Sequence, residues 1–91
     1  RVLFRSNIFT LNAFPNPTTD RITIAYDMPA IEKNYSLVIT NVCGQCVYKQ
    51  ALQTTTKVIN IDTKGWSSGL YFYGIVEDTK CIITKKFLIT D

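Results

Sequence analysis

Arg21-Ile22-Thr23-Ile24-Ala25-Tyr26 is the stretch that decides the fold. Successive side chains of a β-strand point to opposite faces. The alternation therefore sorts Ile22, Ile24 and Tyr26 onto one side and Arg21, Thr23 and Ala25 onto the other. An amphipathic helix would carry apolar residues at every third or fourth position, and here they fall at every second. The segment reads as a strand with one face against a core.

Working outward, the same pattern recurs. Downstream, Asp27-Met28-Pro29-Ala30 breaks the strand and residues 31–34 connect it to a second apolar run at 35–40, with Leu37 and Ile39 toward the core. Asn41-Val42-Cys43-Gly44 then has Asn first and Gly fourth, which suits a type I turn with a left-handed residue at Gly44. Residues 46–51 return. A polar loop, Gln53-Thr54-Thr55-Thr56, leads to residues 57–62, where Ile59 and Ile61 share a face. After a long turn at 63–69, Leu70-Tyr71-Phe72-Tyr73-Gly74-Ile75-Val76 is apolar on both faces, which predicts a central strand covered on both sides. A tight polar turn at 77–80 precedes the last strand, 81–90. Upstream, Thr18-Thr19-Asp20 supplies turn-forming side chains. Pro15 and Pro17 lack amide donors and push Phe14 and Asn16 toward extended geometry, so 14–17 reads as a stiff, extended lead-in. Residues 8–14 form a short apolar stretch before it. Seven strands at this spacing predict an all-β, immunoglobulin-like antiparallel β-sandwich. The Cys…Trp…Cys core pattern of antibody domains is absent.

Composition agrees. The β-formers Val, Ile, Thr, Tyr, Phe and Trp make up 40 of the 91 residues, whereas Ala and Leu contribute 4 and 6; this disfavours a helical bundle. With 46% apolar and 19% charged residues the chain has the makings of a core, so disorder is not expected. The length suits one domain. Residues 1–7 fit the pattern poorly and read as a linker, a passenger's tail or a foreign addition, with the domain at 8–91. The net charge of +3 is mild and dispersed, with only Lys85 and Lys86 adjacent, so nucleic-acid binding is not expected. No apolar run approaches the ~20 residues of a membrane-spanning helix.

Few residues offer chemistry. The chain has no histidine, which removes the commonest general base and metal ligand together. Cys43-Gly44-Gln45-Cys46 matches a C-x-x-C pattern. A zinc site needs four ligands, and three cysteines without histidine do not supply them. A thioredoxin-like pair would open a helix, and no helical pattern follows. The plainer reading is a hairpin turn with Cys43 near its tip and Cys46 on the return strand, leaving Cys81 odd. Asp20, Asp27, Asp62, Glu77 and Asp78 fall at turns or strand ends, where no spacing forces a catalytic pair together. No catalytic residue, cofactor or metal site is expected. Asn34-Tyr35-Ser36 is a formal glycosylation sequon of low specificity. Trp66, in a Gly/Ser loop, reads either as a flap over one end of the sandwich or as a sugar-stacking platform.

Together these residues resemble a known family. Phe14-Pro15-Asn16-Pro17-Thr18-Thr19-Asp20 before an alternating strand is similar to the aromatic-PNP-x-x-D opening of the C-terminal sorting domains of the type IX (Por) secretion system of Bacteroidetes. Residues 37–47 resemble that family's strand, D-x-x-G turn and strand, with Asn41 in place of the usual Asp and cysteines at 43 and 46. Ile61-Asp62, then Ser68-Gly69-Leu70-Tyr71-Phe72, resembles its I-D-hydrophobic-loop-G-x-Y segment. Lys85-Lys86-Phe87-Leu88-Ile89 resembles its basic-then-apolar closing strand.

The resemblance implies a non-catalytic secretion signal. It implies an N-terminal passenger, recognition by a type IX translocon after transit through the periplasm, and removal by a sortase-like surface peptidase. The passenger would be left secreted or anchored on the outer-membrane surface. The domain would act as a monomer, without inserting in the membrane. Pro15, Asn16, Pro17, Asp20, Gly44, Gly69, Tyr71, Lys85 and Lys86 become the candidate recognition residues. A carbohydrate-binding or adhesion module on the same sandwich is the alternative reading, and a redox element at Cys43 and Cys46 a third.

Overall fold

A computed structural model describes residues 9–28, 34–53 and 57–90. It contains seven strands: β1 (Thr10–Phe14), β2 (Arg21–Asp27), β3 (Tyr35–Asn41), β4 (Cys46–Ala51), β5 (Val58–Asp62), β6 (Gly69–Glu77) and β7 (Lys80–Ile89). No helix occurs among the described residues. The strands form two antiparallel sheets, one ordered β1-β2-β5 and the other β4-β3-β6-β7. This is the all-β sandwich that the alternation predicts. Expected connectors at 29–33 and 54–56, and Ile8 of the first apolar stretch, lie outside the described residues.

The core is the sum of the inward-facing alternate residues. Leu11, Ile22, Ile24, Ile59 and Ile61 come from one sheet and Leu37, Ile39, Tyr73, Ile75 and Phe87 from the other. In β2 the buried positions are Ile22, Ile24 and Tyr26, the side the sequence assigns to the core. The turn at Asn41 also forms as expected. The Gly44 amide donates to the Asn41 carbonyl at 3.0 Å, the Asn41 side-chain oxygen accepts the amides of Cys43 and Gln45 at 3.0 Å each, and Gly44 has φ +84°. A non-glycine residue is disfavoured at such an angle.

Two expectations need correction. Strand β6 is central in its sheet but covered on one face only. Tyr71, Tyr73 and Ile75 are buried, while Leu70, Phe72 and Val76 on the opposite face are partly exposed. A two-layer sandwich supplies a single cover for each sheet, and among the described residues nothing lies over the outer face. The lead-in at 14–17 is also not extended throughout. Both Phe14-Pro15 and Asn16-Pro17 are cis, and the chain bends through residues 15–17. The proline preference read from sequence restricts φ and ψ residue by residue and leaves the course of the chain through 15–17 open.

Candidate functional site

Antiparallel topology sends β1, β3, β5 and β7 toward one end of the sandwich, where β2, β4 and β6 begin. That end therefore collects the 15–20 segment, the 42–45 turn, the 63–68 loop and the close of β7. Eight of the nine candidate residues, all but Lys85, fall in or beside these segments. What the sequence scatters over some seventy positions, the fold gathers at one pole.

The centre of the pole is a clasp on β7. Pro15 and Pro17 have no amides to offer a neighbouring strand, and the Asn16 side chain supplies the bonding instead. Its Nδ2 donates to the Lys86 carbonyl at 3.4 Å and its Oδ1 accepts the Leu88 amide at 3.1 Å. The backbone then takes over. The Thr18 amide donates to the Leu88 carbonyl at 2.9 Å, and the Thr90 amide donates to the Thr18 carbonyl at 2.8 Å. This makes a short parallel bridge, Thr18 to Ile89. β7 is an edge strand, and unpaired edge groups invite foreign strands. The clasp covers its closing half. Thr18 is buried, and its hydroxyl donates to the Arg21 carbonyl.

Next to the clasp stands an aromatic column. Tyr71 and Phe87 are cross-strand partners, and their rings stack at 5.5 Å with an interplanar angle of 17°. Trp66 lies 5.4 Å from Tyr71, and Tyr73 lies 5.7 Å from Phe87. The Tyr71 hydroxyl donates to the Ser67 carbonyl at 2.8 Å, as a buried phenol requires. Trp66 is half-buried on the core, so it is the flap of the two readings. Gly69 opens β6 at φ +145°, a geometry unfavourable to side-chain-bearing residues. Burial holds the Tyr73 phenol above its ordinary value, with a backbone hydrogen bond from Ala13 pulling the other way.

The lysines divide by face, as adjacent strand positions must. Lys85 pairs with inward-facing Tyr73 and Lys86 with outward-facing Phe72. Both are exposed. Lys85 reaches across the open edge, its Nζ donating to Asn12 Oδ1 on β1 at 3.2 Å. Asp20 is exposed, and its part is played by the backbone, whose carbonyl accepts the Thr63 amide at 3.0 Å.

Sequence reasoning missed Thr18, Phe87 and Thr63. Thr63 is 1% exposed, and its hydroxyl has no partner among the described residues. Cys43, Cys46 and Cys81 are all exposed and unpaired. Among the described residues, no group of three or more Cys, Asp and Glu could hold a metal ion. The pole offers fixed shape, a covered strand edge and lysines, which suit recognition.

Comparison with known proteins points the same way. Residues 12–90 match the family model described as a secretion system C-terminal sorting domain. The chain is also 30% identical over 83 residues to the ulvan lyase NLR42 of Nonlabens ulvanivorans. That alignment covers 90% of this chain and 15% of the lyase, so the chain spans a small part of its relative's length.

Proposed function

The chain belongs to the family of secretion-system C-terminal sorting domains, the type IX secretion signals, and from that premise we propose how its sandwich serves as the address. Residues 8–91 form the signal and follow an N-terminal passenger. The passenger passes through the periplasm, and the translocon reads the folded tag. A sortase-like surface peptidase then removes the tag, leaving the passenger secreted or held at the outer-membrane surface. The tag itself does no catalysis.

The clasp is the observation that carries this reading. A label must present one fixed surface whatever passenger precedes it. Here the opening Pro15-Asn16-Pro17 motif is bonded directly to the closing strand that bears Lys85 and Lys86. Pro15, Asn16 and Pro17 act by positioning β7, and Asp20 by holding the 63–68 loop through its carbonyl. Gly44, Gly69 and Tyr71 shape the turns and aromatic column of the pole. Lys85 and Lys86 supply the charge that the receptor reads. The alternative of glycan binding through Trp66 finds no support in the geometry, because that ring is packed on Tyr71.

The test is a fusion of residues 8–91 to a periplasmic reporter in a bacterium that has the type IX system. Export of the reporter is expected, with loss of export when residues 87–91 are deleted. A reporter that stays in the periplasm with the intact tag overturns the proposal.

A further inference from the structure

The two outer faces of this sandwich are made differently. On the β1-β2-β5 sheet the outward positions are mostly polar, with Thr23 and Asn60 hydrogen-bonded at 2.8 Å and Asp27 and Asp62 at the strand ends. Its exposed apolar residues, Phe14 and Val58, stand at opposite corners. That is the ordinary arrangement of a sheet with one face in water. The outer face of β4-β3-β6-β7 differs: its uncharged polar residues Ser36, Thr40 and Thr84 are interrupted by an apolar strip. Val38, Phe72 and Val76 form a partly exposed strip along its two central strands, continued by Leu88, which is 40% exposed.

Register places a lysine on either side of that strip. Lys49 on β4 is the cross-strand partner of Val38, and Lys86 on β7 is the partner of Phe72. Alternation puts no carboxylate of a described residue on this face. A contiguous apolar patch rimmed by charge of one sign marks a docking surface. Stacking two copies face to face would confront lysines with lysines and offer no acid to either, so the charge disfavours self-association.

We infer that this face docks a protein partner presenting an apolar segment flanked by carboxylates. Phe72 is the apolar anchor, and Lys49 and Lys86 fix the orientation. The inference rests on the sorting reading and names the surface and partner chemistry through which the tag is read. It also accounts for Lys86 standing on the outer face, clear of the clasp its backbone joins.

The experiment uses the whole chain fused to the reporter, with the unsubstituted fusion alongside. Phe72→Ser, and Lys49→Glu with Lys86→Glu, should each lower export by about tenfold or more. Val58→Ser on the opposite sheet should leave it unchanged. Thermal unfolding of each purified chain shows whether Phe72→Ser still folds, and the exposed lysine pair carries the test if it does not. Export by the Lys→Glu pair equal to that of the unsubstituted fusion overturns the docking face and leaves the sorting reading intact. Absence of export by the unsubstituted fusion overturns both. A dimer of the purified chain that Phe72→Ser dissolves overturns the inference in favour of a second copy.

Discussion

Asn16 holds Leu88 across the length of the domain: its side-chain oxygen accepts the Leu88 amide at 3.1 Å although 72 residues separate them. The side-chain nitrogen of Asn16, Nδ2, donates to the neighbouring Lys86 carbonyl. One side chain thus imitates a strand and closes an edge that two prolines cannot close with their backbones.

Asn16→Ala should therefore cost about 1–2 kcal/mol, the net worth of two hydrogen bonds. The loss should be local first. Hydrogen exchange at the Leu88 amide should quicken well before that of Ile75 in the centre of β6. Equal protection of Leu88 in the variant and the parent would contradict the clasp.

The aromatic column carries much of the pole's stability. Phe87 is 1% exposed and touches both Tyr71 and Tyr73. Phe87→Ala should destabilise by about 3–5 kcal/mol, which in a domain this small threatens folding itself. Tyr71→Phe keeps the stack and removes only the bond to Ser67, for a cost of about 1 kcal/mol. Denaturant midpoints of the two variants should differ accordingly.

Thr63 runs the other way. Its buried hydroxyl has no partner among the described residues, and an unsatisfied buried donor costs free energy. Thr63→Val keeps the shape and removes that cost, so it should raise stability by about 1 kcal/mol. A fall of similar size would mean that a bound water satisfies the hydroxyl.

The ion pair between Asp27 and Lys57 gives a pH dependence with a definite sign. The hydrogen bond from Lys57, and then its charge, hold the Asp27 carboxyl below its ordinary value of 3.8. Stabilisation from a depressed acid is present above that value and is lost as pH falls below it. Both side chains are exposed, so the contribution is small and screened by salt. In an NMR titration the Asp27 midpoint should rise on Lys57→Met, and in the parent it should rise with added salt. A midpoint unchanged by Lys57→Met would show that the pair does not hold in solution.

The strands were legible because alternation is a local signal. Ile22, Ile24 and Tyr26 announce their shared face within five residues, and Asn41 and Gly44 announce their turn within four. The clasp leaves no local trace, since Asn16 and Leu88 meet only once both sheets have formed. Each candidate residue could be picked by motif, but not that most of them meet at one pole. β6 departs from the expectation for a physical reason. Apolar residues on both faces usually mean two covers, whereas here Phe72 and Val76 face outward with nothing described above them. The same residues that defeated that expectation form the proposed docking face.

Export itself is the most direct measurement. The reporter fused to residues 8–91 is followed in two strains, one with a working type IX translocon and one without. The predicted result is reporter on the surface or in the medium of the first strain and retained in the periplasm of the second. Equal export from both, or retention in both, would contradict the assignment of this sandwich as the signal.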